Sequence, residues 1–164
     1  MGAASRKAAP PSLRDRNAVG CPYADGPMSS LSPLVKANLL VLGLLVLHTV
    51  DHAVGQPSRE LPGSSSLVGA IGFALIAGSS WLALQRSPRA PEASALVGML
   101  TAGGIIAVHL LPSWWGWVSD PYWDFDASFL SWLSLIALLA SSLYLAALGL
   151  RDQRLRPVKP SYRH

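Results

Sequence analysis

Two histidines and an aspartate lie within five positions of the segment LHTVDHAVGQ, residues 47–56. His48 and His52 are four residues apart, so in a helix their imidazoles lie on one face, as in helical metal sites. Asp51 could supply a further ligand, or accept a hydrogen bond that fixes an imidazole tautomer. His109 follows a later apolar segment, IIAV. These residue types predict a site for Zn or Cu formed by His48, Asp51, His52 and His109.

Two other interpretations of the same residues stay open. His109 together with His48 or His52 could ligate one b-type haem between two helices, which would make the chain a redox subunit. Alternatively, the polar groups could hydrogen-bond one another and lock the helices of a structural subunit. Catalysis is not expected, because Thr49 follows His48 where zinc peptidases carry the glutamate of H-E-x-x-H, and the sequence has no G-x-S-x-G turn.

An aromatic and acidic segment, PSWWGWVSDPYWDFDAS at residues 112–128, follows His109. It contains four of the six tryptophans and no basic residue. Such a segment could form an aromatic belt at a membrane surface, or cover the histidines. The candidates for a lid or for outer ligands are Trp114, Trp115, Trp117, Asp120, Tyr122, Trp123, Asp124 and Asp126.

The elements that must position these residues are predicted by the distribution of charge. Only 13% of the 164 residues are charged, about half the usual share for a soluble domain. Apolar runs of about 20 residues separate the charged clusters, and that length crosses a bilayer as a helix. The fold class is therefore an all-α membrane protein, a four-transmembrane-helix bundle. The spans are expected at about 34–54, 66–84, 93–111 and 128–149.

The rest of the chain is predicted to be basic flanking segments. Residues 1–31 show no apolar periodicity and are expected to be disordered. Residues 32–150 are expected to form the bundle, and residues 151–164 a basic tail.

Within the third span, Gly98 with Ala102 and Gly103 with Ala107 have the four-residue spacing that permits close helix contacts.

The basic residues also predict the orientation. Twelve of the thirteen lie in residues 1–36, in residues 86–89 or after residue 150. The positive-inside rule then places both termini in the cytoplasm and His48, His52 and His109 at the extracytoplasmic end. The expected partners are the lipid bilayer and other membrane proteins. Nucleic-acid binding is not expected, because no basic groove with interleaved aromatics is present.

The combination of LHTVDHAVGQ, LPSWWGWVSDPYWDF and a short basic tail resembles small, uncharacterised four-span membrane proteins of bacteria. The resemblance extends over about residues 34–150. It implies an inner-membrane location, and it implies no activity, cofactor or catalytic residue.

Overall fold

The computed structural model describes residues 31–55, 63–112, 119–124 and 126–155. These residues form four α-helices and no strand: α1 (Pro33–Val50), α2 (Gly63–Leu84), α3 (Ala90–Ile105) and α4 (Phe129–Arg154). α1 and α3 each continue into a π-helical turn, Asp51–Gly55 and Ile106–Leu110. With these turns included, all four helices are long and apolar enough to cross a membrane. The prediction of an all-helical fold with four helices long and apolar enough to span a membrane is confirmed for the described residues.

Two helices begin at serine caps. The Ser32 hydroxyl accepts a hydrogen bond from the Val35 amide at 3.3 Å, and Pro33 occupies the first turn of α1. The Ser128 hydroxyl accepts from the Ser131 amide at 3.1 Å at the start of α4. Each cap satisfies a backbone N–H that has no partner within its helix.

Other helix ends differ from the predicted ones. α2 begins at Gly63 rather than residue 66. α3 begins at Ala90 rather than residue 93, because Pro91 is tolerated in a first turn, where no N–H is needed. α4 continues to Arg154, so the helix includes the first four residues of the predicted tail. The segment 1–30 and residues 156–164 lie outside the described residues.

α3 and α4 approach each other most closely at two glycines. A Cβ atom built on Gly98 would lie 2.6 Å from the Ser142 carbonyl oxygen, and one on Gly149 would lie 2.6 Å from the Pro91 oxygen. Both obstructing atoms belong to the backbone and cannot rotate away. Gly149 is therefore a contact residue inside α4 rather than the end of the helix, and this explains why the predicted end at residue 149 is too early.

At one end of the bundle, Asn38 joins three helices. Its Nδ2 donates to the Leu34 carbonyl and to the Ser94 hydroxyl of α3, each at 2.9 Å. Its Oδ1 accepts from the Ser79 hydroxyl of α2. The amide is fully buried, with both of its polar atoms hydrogen-bonded. This end also carries the described lysine and arginine residues, Lys36, Arg86, Arg89, Arg151 and Arg154, and we call it the basic end.

The packing buries polar side chains among apolar ones in the interior and leaves further large apolar side chains outside. Asn38 and seven serines are buried between the helices, whereas large apolar side chains on every helix are exposed. Leu47 is 54% exposed, Ile71 52%, Leu100 54% and Ile136 56%. Small and polar residues at helix contacts, with a continuous apolar exterior, are the arrangement expected in lipid rather than in water.

Candidate metal centre

The end opposite to the basic end is formed by the two π turns and the start of α4, and we call it the histidine end. Both π turns carry residues singled out by the sequence, Asp51 and His52 in the first and His109 in the second. The second turn is closed by the Leu111 amide, which donates to the Ile106 carbonyl five residues earlier at 3.0 Å. Such wide turns inside helices are frequent at functional sites.

His48, His52 and His109 form one cluster. One ligand nitrogen from each can be chosen so that all three lie within 4.8 Å of one another. The ring centroids of His48 and His52 are 4.7 Å apart, and the His109 centroid lies 5.2 and 5.3 Å from them. His48 is buried, and His52 and His109 are half-buried. The prediction that helix direction brings these three histidines together is confirmed.

Hydrogen bonds assign the tautomers of two of the imidazoles. His109 Nδ1 lies 3.0 Å from the backbone oxygen of Asp120, and since a carbonyl only accepts, Nδ1 is the donor. His48 Nδ1 lies 3.5 Å from the Ser134 hydroxyl, whose own proton is donated to the Ser131 carbonyl at 2.9 Å. His48 Nδ1 is therefore also a donor. In both residues the proton is then on Nδ1, so Nε2 carries the lone pair that can bind a metal ion.

The third imidazole also has an oxygen on its Nδ1 side, but at a distance longer than a hydrogen bond. His52 Nδ1 is 3.9 Å from the Asp120 carboxylate, and its Nε2 is 3.4 Å from the Tyr122 hydroxyl. Tyr122 is buried among the three histidines, with its ring centroid 5.0 Å from that of His109. Each Nδ1 thus faces an oxygen of the protein, the arrangement that orients histidine ligands in metal sites.

The size of the cluster favours a bare ion over haem. Zn–N bonds of about 2.0–2.1 Å place the ligand atoms of a tetrahedral ion roughly 3.4 Å apart. Histidine nitrogens separated by up to 4.8 Å must therefore move closer to one another by up to about 1.4 Å. Small rotations of the side chains can supply this movement. Haem would need a macrocycle between its two axial rings, but the His109 ring is in direct contact with both rings of α1.

The other predicted site residues occupy different positions. Asp51 is not part of the three-histidine group and lines a groove between α1 and α4. Trp123 is 66% exposed, donates from Nε1 to the Leu110 carbonyl at 3.1 Å and packs against Trp132 of α4. Asp124 and Asp126 are exposed. Trp114, Trp115 and Trp117 lie outside the described residues.

The structure adds Ser134 to the site. Serine recurs every three residues in this part of α4, at Ser128, Ser131 and Ser134. That recurrence places the serines along one side of the helix and was the signal available in the sequence. Which neighbouring helix this side would meet depends on the rotation of α4, and the sequence pattern does not specify it.

Short backbone hydrogen bonds hold residues 119–124 against the second π turn. The Asp120 amide donates to the Val108 carbonyl at 2.9 Å, and the Tyr122 amide donates to the His109 carbonyl at 3.1 Å. These bonds fix the positions of the Asp120 and Tyr122 side chains relative to His109.

In comparisons with models of protein families, with curated proteins and with solved structures, nothing matches this chain.

Proposed function

We propose that this chain is an integral membrane accessory protein that binds one transition-metal ion, Zn or Cu, at the histidine end. The observation that carries the proposal is the set of three imidazoles from two helices whose ligand nitrogens lie within 4.8 Å of one another. Nε2 of each histidine binds the ion. The Tyr122 hydroxyl, which is hydrogen-bonded to His52 Nε2 at 3.4 Å in the absence of an ion, supplies the fourth ligand oxygen after it gives up its proton.

The membrane assignment and the orientation are parts of the same proposal. Four helices of sufficient length and apolarity, with large apolar side chains on the exterior and polar ones buried inside among apolar ones, support insertion into a bilayer. The described lysines and arginines lie at the basic end, whereas Asp51, Asp120, Asp124 and Asp126 lie at the histidine end. By the positive-inside rule, the basic end lies in the cytoplasm with both termini, and the metal site faces outward from an inner membrane.

Reporter fusions test the orientation. We expect reporters placed after residues 90 and 160 to be active only in the cytoplasm, and those after residues 60 and 120 only outside it. A reporter after residue 160 that is active outside the cytoplasm would contradict the orientation.

Metal analysis of the purified protein tests the binding function. The full chain, stripped with a chelator and then equilibrated with Zn²⁺ or Cu²⁺, is expected to retain one ion per chain after buffer exchange. Its absorption spectrum is expected to lack a Soret band before and after incubation with haemin. A Soret band would favour the haem interpretation. If the protein retains neither ion, the histidine cluster is explained as a hydrogen-bonded network that locks the helices together.

A further inference from the structure

An apolar groove of about 660 Å³ runs along the surface between α1 and α4 at the histidine end. Leucine, valine and alanine side chains from both helices line it, together with two polar residues, Asp51 and Ser134. On α1 and its π turn the lining extends from Leu44 to Val54. The ten steps from Leu44 to Val54, at 1.5 Å each, give the groove a length of about 15 Å, which is half the thickness of a hydrocarbon core.

The polar feature of the groove is the carboxylate of Asp51. Its Oδ2 is shielded from solvent and has no hydrogen-bond partner among the described residues. The residue as a whole is only half-buried and lines the groove, so its carboxylate can be reached from there. A partly shielded carboxylate without a donor is costly, and in membrane segments such groups pair with a cation or a donor. The described lysines and arginines all lie at the basic end, so none of them can pair with Asp51.

The depth of Asp51 indicates where a partner would come from. It lies three residues before Val54, the last residue of the first span, which corresponds to about 4.5 Å. A carboxylate at that depth is at the level of lipid headgroups, and the apolar part of the groove extends from it toward the middle of the span. The groove therefore matches an amphiphile with a donor-bearing cationic head and a hydrocarbon chain.

We propose that the groove binds one phospholipid with a primary-ammonium headgroup, of the phosphatidylethanolamine class. The ammonium donates to the Asp51 carboxylate, and an acyl chain lies along Leu44, Leu47 and Leu133. A quaternary ammonium such as choline carries the same charge but has no N–H to donate, so it binds more weakly. The proposal rests on the insertion into a bilayer proposed above, but it is independent of metal binding, because none of its contacts involves a histidine nitrogen.

Lipid retention by the metal-stripped full chain tests this site. The protein is reconstituted into vesicles of equal parts phosphatidylethanolamine and phosphatidylcholine, extracted in mild detergent, and analysed for bound lipid by mass spectrometry. We expect one tightly held phospholipid per chain, with about a tenfold preference for phosphatidylethanolamine, the ratio that one charge-assisted hydrogen bond can give.

Three variants separate the headgroup contact from the groove. Asp51→Asn is expected to lose the preference, whereas Asp126→Asn, which removes an exposed carboxylate of the histidine end, is expected to keep it. Leu47→Trp fills the groove and should lower the retention of both lipids while Asp51 is intact. The proposal is overturned if the wild-type protein retains the two lipids equally or retains none, or if the preference survives in Asp51→Asn.

Discussion

Replacing His109 with alanine is expected to abolish the stabilisation of the protein by zinc. His109 is the only histidine of the cluster that comes from α3, so an ion bound to all three links α3 to α1. At a free Zn²⁺ concentration 100 times the dissociation constant, binding stabilises the folded wild-type protein by about 2.7 kcal/mol. Two imidazoles on one helix remain in His109→Ala, and at the same Zn²⁺ concentration the increment should fall close to zero.

The measurement is the free energy of unfolding in detergent, with and without Zn²⁺. His164→Ala is the matched control, since it removes a histidine from the tail and should keep the full increment. The metal-free measurement separates the two roles of His109. Loss of its hydrogen bond to the Asp120 carbonyl costs about 1 kcal/mol in either buffer. If His109→Ala lowers stability in metal-free buffer but retains the zinc increment, the cluster is a structural lock and not a metal site.

Gly98→Ala is expected to destabilise the bundle by about 1–3 kcal/mol, the usual cost of overpacking. The added Cβ would lie 2.6 Å from the Ser142 oxygen and 2.7 Å from the Ala146 nitrogen. Because both are backbone atoms of α4, the two helices must separate. Gly103→Ala is the control in the same helix, since nothing lies within 4 Å of its added Cβ.

The control also corrects for helix propensity. Glycine to alanine in a helix is favourable by roughly 0.5–1 kcal/mol, so Gly103→Ala should be neutral or stabilising. Thermal or denaturant unfolding of both variants in detergent gives the comparison. Equal stabilities of the two variants would show that α3 and α4 are not in close contact at Gly98.

Much of the fold follows from patterns that depend only on position along the chain. The lengths of the apolar runs predict four helices and their approximate bounds. The meeting of His48, His52 and His109 follows from the fact that alternate helices of an up-and-down bundle point the same way. Each of these inferences requires the order and direction of the helices but not their rotation.

The remaining features depend on rotation and packing. Asp51 and His52 are neighbours in sequence, but about 100° separates successive side chains of a helix, so one can face α4 while the other faces α3. A repeat of small residues does not distinguish Gly98, at the α3–α4 contact, from Gly103, which has open space around it. The π turns depend on the same packing, and no residue pattern in LHTVDHAVGQ specifies them.

The interior contacts also show why the histidine end is suited to hold an ion. Asp120 contributes its backbone oxygen to His109 and its carboxylate to the neighbourhood of His52. Ser134 from α4 contacts His48. Two separate segments, residues 119–124 and α4, therefore contact the three imidazoles before any ion arrives, and this lowers the ordering cost of binding.

X-ray absorption spectroscopy of the zinc-loaded full chain determines whether three imidazoles bind a single ion. We expect three imidazole nitrogens and one further oxygen at about 2.0–2.1 Å from zinc. In His52→Ala the imidazole contribution should decrease or the ion should be lost, while His164→Ala should match the wild-type spectrum. A wild-type zinc shell made of oxygen atoms, without imidazole scattering, would contradict the account.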